Sequence, residues 1–85
     1  MINKNLLAEL EDSVKQIKEG IEKECVVNVD EVDIRQHDEY IQITIIFRRG
    51  DNDTQYGYQR MFRKGTKFDI LDHFIRIACD HIDSD

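Results

Sequence analysis

Leu6, Leu10, Val14, Ile17 and Ile21 recur at spacings of four, four, three and four residues, with charged residues between them. That period sets the five along one stripe of an amphipathic helix. Asn3 or Asn5 can cap its start. Glu11 with Lys15 and Glu19 with Lys23 stand four apart, where opposite charges meet on a helix surface. From Cys25 the period drops to two. Val27 and Val29 alternate with Asn28 and Asp30, the phase slips at Asp30 and Glu31, and alternation resumes with Val32 and Ile34. One displaced residue with hydrophobics on either side is how a β-bulge reads in sequence. Ile41, Ile43, Ile45 and Phe47 then alternate with Tyr40, Gln42, Thr44 and Ile46, and a further run carries Tyr56, Tyr58 and Phe62. Three strands in succession are predicted.

A hairpin loop over Gly50 to Asp53 sets Arg49 against Thr54, Phe47 against Tyr56, Ile45 against Tyr58 and Ile41 against Phe62. Aromatic and β-branched partners then meet on one face, the pairing that stabilises sheets. A loop over Gln36 to Glu39 sets Ile34 against Ile41 and Val32 against Ile43 on that same face. Arg60, facing Ile43, is its one discordant residue. The last segment reads as a helix from about Thr66, an N-cap candidate, to about Ile82. Phe68, Leu71, Ile75, Ala78, Cys79 and Ile82 lie on one side, and Ile70, Phe74 and Ile77 widen the apolar arc to roughly 200°, about twice the stripe one packing surface needs. Either the first helix covers the excess or a second copy of the chain does. A homodimer through this wide helix or through the sheet is expected, with Ile70, Phe74, Ile77 and His81 as the helix contacts.

The pattern therefore predicts an α+β domain over residues 1–85: helix, three-stranded antiparallel meander, helix, with both helices on one sheet face. Eighty-five residues, 40% of them hydrophobic, suffice for one small core with a thin stability margin. No run of eighteen apolar residues and no charged-then-apolar leader is present, so a cytoplasmic protein is expected. Cys25 and Cys79 lack C-x-x-C spacing and read as buried thiols.

Charge changes the picture more than composition does. The net charge of −6 divides into −6 over residues 1–47 (eleven acids, five bases), +4 over 48–67 (two acids, six bases) and −4 over 68–85 (five acids, one base). Asp69, Asp72, Asp80 and Asp83 fall within about 80° of one another on the last helix, at 100° per residue. Glu31 and Asp33 are expected on the outer sheet face. Carboxylates spaced along a small scaffold can imitate the phosphates of a duplex and occupy a basic groove on a nucleic-acid-binding protein. The opposite possibility is that Arg48, Arg63, Lys64 and Lys67, at the hairpin's outer side and the mouth of the last helix, hold phosphate themselves, although the register separates Arg48 from Arg63 along the strands.

Other chemistries find little footing. Asp51, Asp53 and Gln55 alternate like the first ligands of a calcium loop, but Tyr56 and Phe62 stand where glycine and a bidentate glutamate are needed. His73, Cys79 and His81 point apart on a helical wheel, so no zinc site and no other cofactor is expected. Ser13 and Ser84 are the only serines, and neither a phosphate loop nor a nucleophile elbow is present, so a non-enzymatic role is expected.

Two resemblances bear on these readings. The order helix, three-strand meander, helix, with "RKGTK" (Arg63 to Lys67) before the second helix, resembles the double-stranded RNA-binding domain, though that family's lysine-rich signature and alanine-rich helix are missing. In size, acidity and mixed organisation the whole chain resembles phage-encoded host-takeover proteins that mimic DNA, such as inhibitors of CRISPR nucleases or of the histone-like protein HU. That resemblance is one of class, without a shared motif. It implies an inhibitor that occupies a partner's DNA site, often as a dimer.

Overall fold

The chain folds as α1 (Lys4–Glu24), β1 (Val27–Gln36), β2 (Tyr40–Arg49), β3 (Gln55–Arg63) and α2 (Ile70–Asp83), in the expected α+β order. The computed structural model describes residues 4–50, 53–65 and 69–84, with side chains from Glu11 onward. Asn3, Asp51, Thr66, Lys67, Phe68 and the side chains of Asn5, Leu6 and Leu10 lie outside the described residues. Among the described residues no helix is long and apolar enough to cross a membrane.

The strands form one antiparallel sheet in the order β1-β2-β3. The β2/β3 register is the expected one, with Phe47 opposite Tyr56, Ile45 opposite Tyr58, Ile43 opposite Arg60 and Ile41 opposite Phe62. The bulge also falls where the phase slips, between Val29 and Glu31. The β1/β2 register differs from expectation by two residues. Ile34 pairs with Ile43 and Val32 with Ile45, because the turn is shorter than the four residues predicted. The His37 N–H donates to the Tyr40 carbonyl at 2.8 Å, leaving Asp38 and Glu39 alone at the tip. A slip of two keeps every side chain on its face, so the core is unchanged.

The start of α2 also differs. The helix begins at Ile70 rather than near Thr66, and its N-cap is Asp69, whose Oδ1 accepts from the N–H groups of Leu71 at 3.0 Å and Asp72 at 3.3 Å. An aspartate there satisfies otherwise orphaned donors and sets a negative charge at the positive end of the helix.

Both helices cover one sheet face. Ile17 and Ile21 of α1, Val29, Ile43, Ile45, Phe47 and Phe62 of the sheet, and Phe74, Ala78 and Ile82 of α2 form one buried core. Four chain reversals separate α1 from α2, so the helices run parallel, and their contacts agree. Ser13 shares a hollow with Ile70 and Leu71, Gly20 lies against Ile75, and Glu24 lies beside Cys79 and Asp83. A Cβ on Gly20 would stand 2.7 Å from Ile75 Cδ1, so this glycine permits the close approach of the two helices. The wide apolar arc of α2 is thus covered on one flank by α1.

The placement of Phe74 corrects the expectation that it contacts a second copy. It is fully buried within one protomer, with its ring 5.8 Å from Tyr58 and 6.3 Å from Phe62. Ile70 and Ile77 are only half-buried, and His81 is exposed with its ring stacked on Tyr58 at 4.5 Å. Arg60, discordant in sequence, escapes burial because the cover over β3 is incomplete; Tyr56 on the same face is also exposed.

Candidate functional site

The carboxylates divide by what they touch. On the sheet, the bulge turns Asp30 toward Arg48, which donates through Nε at 2.8 Å and Nη2 at 2.9 Å, and Gln55 adds Nε2 at 3.0 Å. This row ties β1, β2 and β3 together. The hydrogen bonds from Arg48, then from Gln55, hold the Asp30 carboxyl below its ordinary range, and Asp30 in turn raises Arg48. Asp33 accepts from Arg35 Nε at 2.7 Å. Glu22 at the end of α1 accepts from the Val29 N–H at 2.9 Å and pairs with Lys18 at 3.2 Å. Its pKa is lowered, chiefly by the Val29 hydrogen bond, which outweighs the opposing effect of burial. Each of these acids serves the fold.

The helical layer is different. Asp69 caps α2, and Asp72 lies 3.8 Å from Arg76 in an exposed pair. Asp80 and Asp83 continue along α2, and Glu24 ends α1 beside them. Together with Asp72, Arg76, Ile75 and Cys79 they line an open hollow of about 340 Å³. All three of Glu24, Asp80 and Asp83 are exposed, and no hydrogen bond or ion pair holds their side chains among the described residues. Because the helices are parallel, both C-termini lie at this end, where the unsatisfied carbonyls already make the potential negative. Carboxylates there add to that field instead of opposing it.

Two other groups sense this end. Cys25 and Cys79 are free, as expected, and both are buried. Burial, then the hydrogen bond with Cys25, then the negative charges of Cys25, Asp83 and Glu24 push the Cys79 thiol up to about 12. Arg49 brings the compensating cation: its Nη2 donates to the Ile82 carbonyl at 2.9 Å, and its guanidinium lies 5.9 Å from the Phe47 ring and 5.6 Å from that of Tyr56. A cation at the last turn offsets part of the helix dipole.

The predicted basic corner is not assembled. Arg48 is held by Asp30 at one end of β2, whereas Arg63 pairs with Tyr40 at the other end, its guanidinium 5.9 Å from that ring. Eight residues of strand at about 3.4 Å each separate the two ends by roughly 27 Å. Lys64 lies beside Arg63, its N–H bonded to the Glu39 carbonyl at 2.8 Å, and Lys67 is outside the described residues. The predicted acids are also split, since Glu31 and Asp33 lie on the outer sheet face and Asp72, Asp80 and Asp83 on the helical side. Glu24 and Arg49 were missed as site residues. Their roles depend on the two helix C-termini meeting, which no local pattern encodes. Among the described residues no group of three or more His, Cys, Asp or Glu side chains is arranged to hold a metal.

Comparison with protein-family models, with curated proteins and with solved structures found no match.

Proposed function

We propose that this protein is a non-enzymatic binding module whose acidic pole, Glu24, Asp80 and Asp83 with Asp72 beside them, docks on a basic protein surface. In its sharpest form the pole occupies a groove that otherwise holds nucleic acid. The observation that carries the reading is the position of the three open carboxylates at the shared C-terminal end of two parallel helices. There they add to the negative field of two helix C-termini that Arg49 offsets only in part, and no hydrogen bond or ion pair holds their side chains among the described residues, whereas Asp30 and Asp33 of the sheet are engaged. Local rules broken without structural gain mark functional positions.

Charge density limits how the mimicry works. The eleven-residue step from Asp72 to Asp83 covers about 16 Å at 1.5 Å per residue. A duplex of that length presents about ten phosphates. Four carboxylates replace a few phosphate contacts, not a whole duplex face. They also lack a condensed counterion atmosphere, so binding should weaken with salt less steeply than duplex binding to the same partner.

The direct test is a parallel capture from nuclease-treated bacterial lysate with wild-type bait and a Glu24→Gln/Asp80→Asn/Asp83→Asn bait, each eluted by a salt gradient and by added duplex DNA. The reading predicts a basic nucleic-acid-binding protein that the wild type retains, that DNA displaces, and that the triple variant retains at least tenfold less. Equal capture by both baits contradicts it.

A further inference from the structure

The two edges of the sheet are finished differently. At β1 the outward N–H of Val29 is taken by Glu22 at 2.9 Å, and the bulge at Asp30 bends the strand beside it. A side-chain cap and a bulge both blunt an edge against pairing with another chain. β3 has no bulge, no proline and no lysine, and every residue from Gln55 to Arg63 except Tyr58 and Phe62 is exposed.

The direction of its backbone groups follows from the ladder. The His37 N–H bonds the Tyr40 carbonyl and the Lys64 N–H bonds the Glu39 carbonyl, both at 2.8 Å. Hydrogen-bonded and non-bonded pairs alternate in an antiparallel sheet. Tyr40, Gln42 and Thr44 therefore direct their backbone groups at β1, and Ile41, Ile43, Ile45 and Phe47 direct theirs at β3. The partners of the latter four are Phe62, Arg60, Tyr58 and Tyr56. Gln55, Gly57, Gln59 and Met61 consequently aim their N–H and C=O groups away from β2, and among the described residues no strand pairs there.

We infer that β3 is the seam of a homodimer, in which two copies join edge to edge, antiparallel about a two-fold axis at Gln59, into one six-stranded sheet. The strand is complementary to itself in this register. Outward groups meet outward groups along its whole length. Gly57 leaves open space, since a Cβ there would touch only Ile45 O at 3.9 Å, and it falls opposite the partner's Met61, a side chain that is 51% exposed in one protomer. Arg60 falls opposite the partner's Tyr58, where a guanidinium can lie over a ring. Shifting the axis to Arg60 would set the two copies of that arginine against each other, a like-charge pair that is destabilising. Shifting it to Tyr58 would set Gly57 opposite the partner's Gln59 and lose the filling by methionine. His81 stacks on Tyr58 of β3 at 4.5 Å, and half-buried Ile77 lies beside it at about 100° per residue, so the same seam covers the flank of α2 that faces this edge. This inference does not depend on the acidic pole.

Sedimentation equilibrium of the full chain tests it through the axis residue. The wild type should be a dimer. Gln59→Lys and Gln59→Glu each set like charges face to face on the axis, and each should raise the dimer dissociation constant at least tenfold. Mixing the two variants one to one should restore dimers, because opposite charges then meet. Circular dichroism checks that each exposed substitution leaves the protomer folded. A wild type that stays monomeric over the whole concentration range overturns the inference. So do single variants that dimerise like the wild type, or a mixture that stays monomeric.

Discussion

The acids of the sheet and the acids of the helical pole belong to one small domain but stand in opposite relations to it. Asp30 and Asp33 sit within 3 Å of arginine nitrogens, and Asp30 spans all three strands through Arg48 and Gln55. Glu24, Asp80 and Asp83 have no such contacts among the described residues and lie where two helix dipoles end. Sequence gives both sets the same appearance, as charges scattered over polar positions. Geometry separates them by the availability of their charge: one set is engaged within the fold, and the other, on the proposed function, is open to a basic partner.

The largest way to break this comparison is to undock α2. Phe74 is fully buried against β3, and Phe74→Ala should cost about 3–5 kcal/mol, measured by urea unfolding. Binding through the pole should be lost with it. A loss below about 1 kcal/mol would mean that α2 is not anchored where the pole requires.

Next in size is a pH effect at the pole itself. The Cys79 thiol is raised from 9.0 to about 12 in the folded protein, so the neutral thiol is favoured by folding. Its contribution to stability is fully present below pH 9.0, the ordinary value, and is lost as pH rises from there toward about 12. Comparing wild type with Cys79→Ala isolates this group from the lysines and tyrosines that titrate in the same range. The wild type should lose stability more steeply, and parallel profiles would mean that burial beside Cys25 does not hold the Cys79 thiol neutral. Smallest of all should be the effect of Glu31→Gln with Asp33→Asn on partner capture. Those acids lie on the far face of the sheet, so retention should match the wild type within twofold. A loss equal to that of the triple variant would move the site to the sheet.

Much of the fold could be read from the chain because its hydrophobic periods are clean. The alternation through Phe47, Tyr56 and Tyr58 fixed the β2/β3 register, and the slip at Asp30 located the bulge. The length of the β1/β2 turn is not legible because "QHDE" contains no glycine, proline or asparagine to set it, yet the shift of two residues leaves the core faces intact. The start of α2 is ambiguous in sequence because Thr66 and Asp69 can both cap a helix, and periodicity alone does not choose between them. The candidate site was much less legible. Counting bases over residues 48–67 suggests a basic corner, but the strand register, legible in the sequence, carries Arg48 and Arg63 to opposite ends of the sheet. The acidic pole depends on parallel helices, a consequence of counting chain reversals that neither helix shows by itself.

The central claim is that Glu24, Asp80 and Asp83 are kept against the interest of the fold. Urea unfolding at low ionic strength, comparing the wild type with Glu24→Gln/Asp80→Asn/Asp83→Asn, tests it most directly. Removing a carboxylate from a helix C-terminus should stabilise by about 0.3–1 kcal/mol each. The account therefore predicts a triple variant more stable than the wild type. A triple variant less stable than the wild type would contradict it, because the three carboxylates would then be holding the structure together and not waiting for a partner.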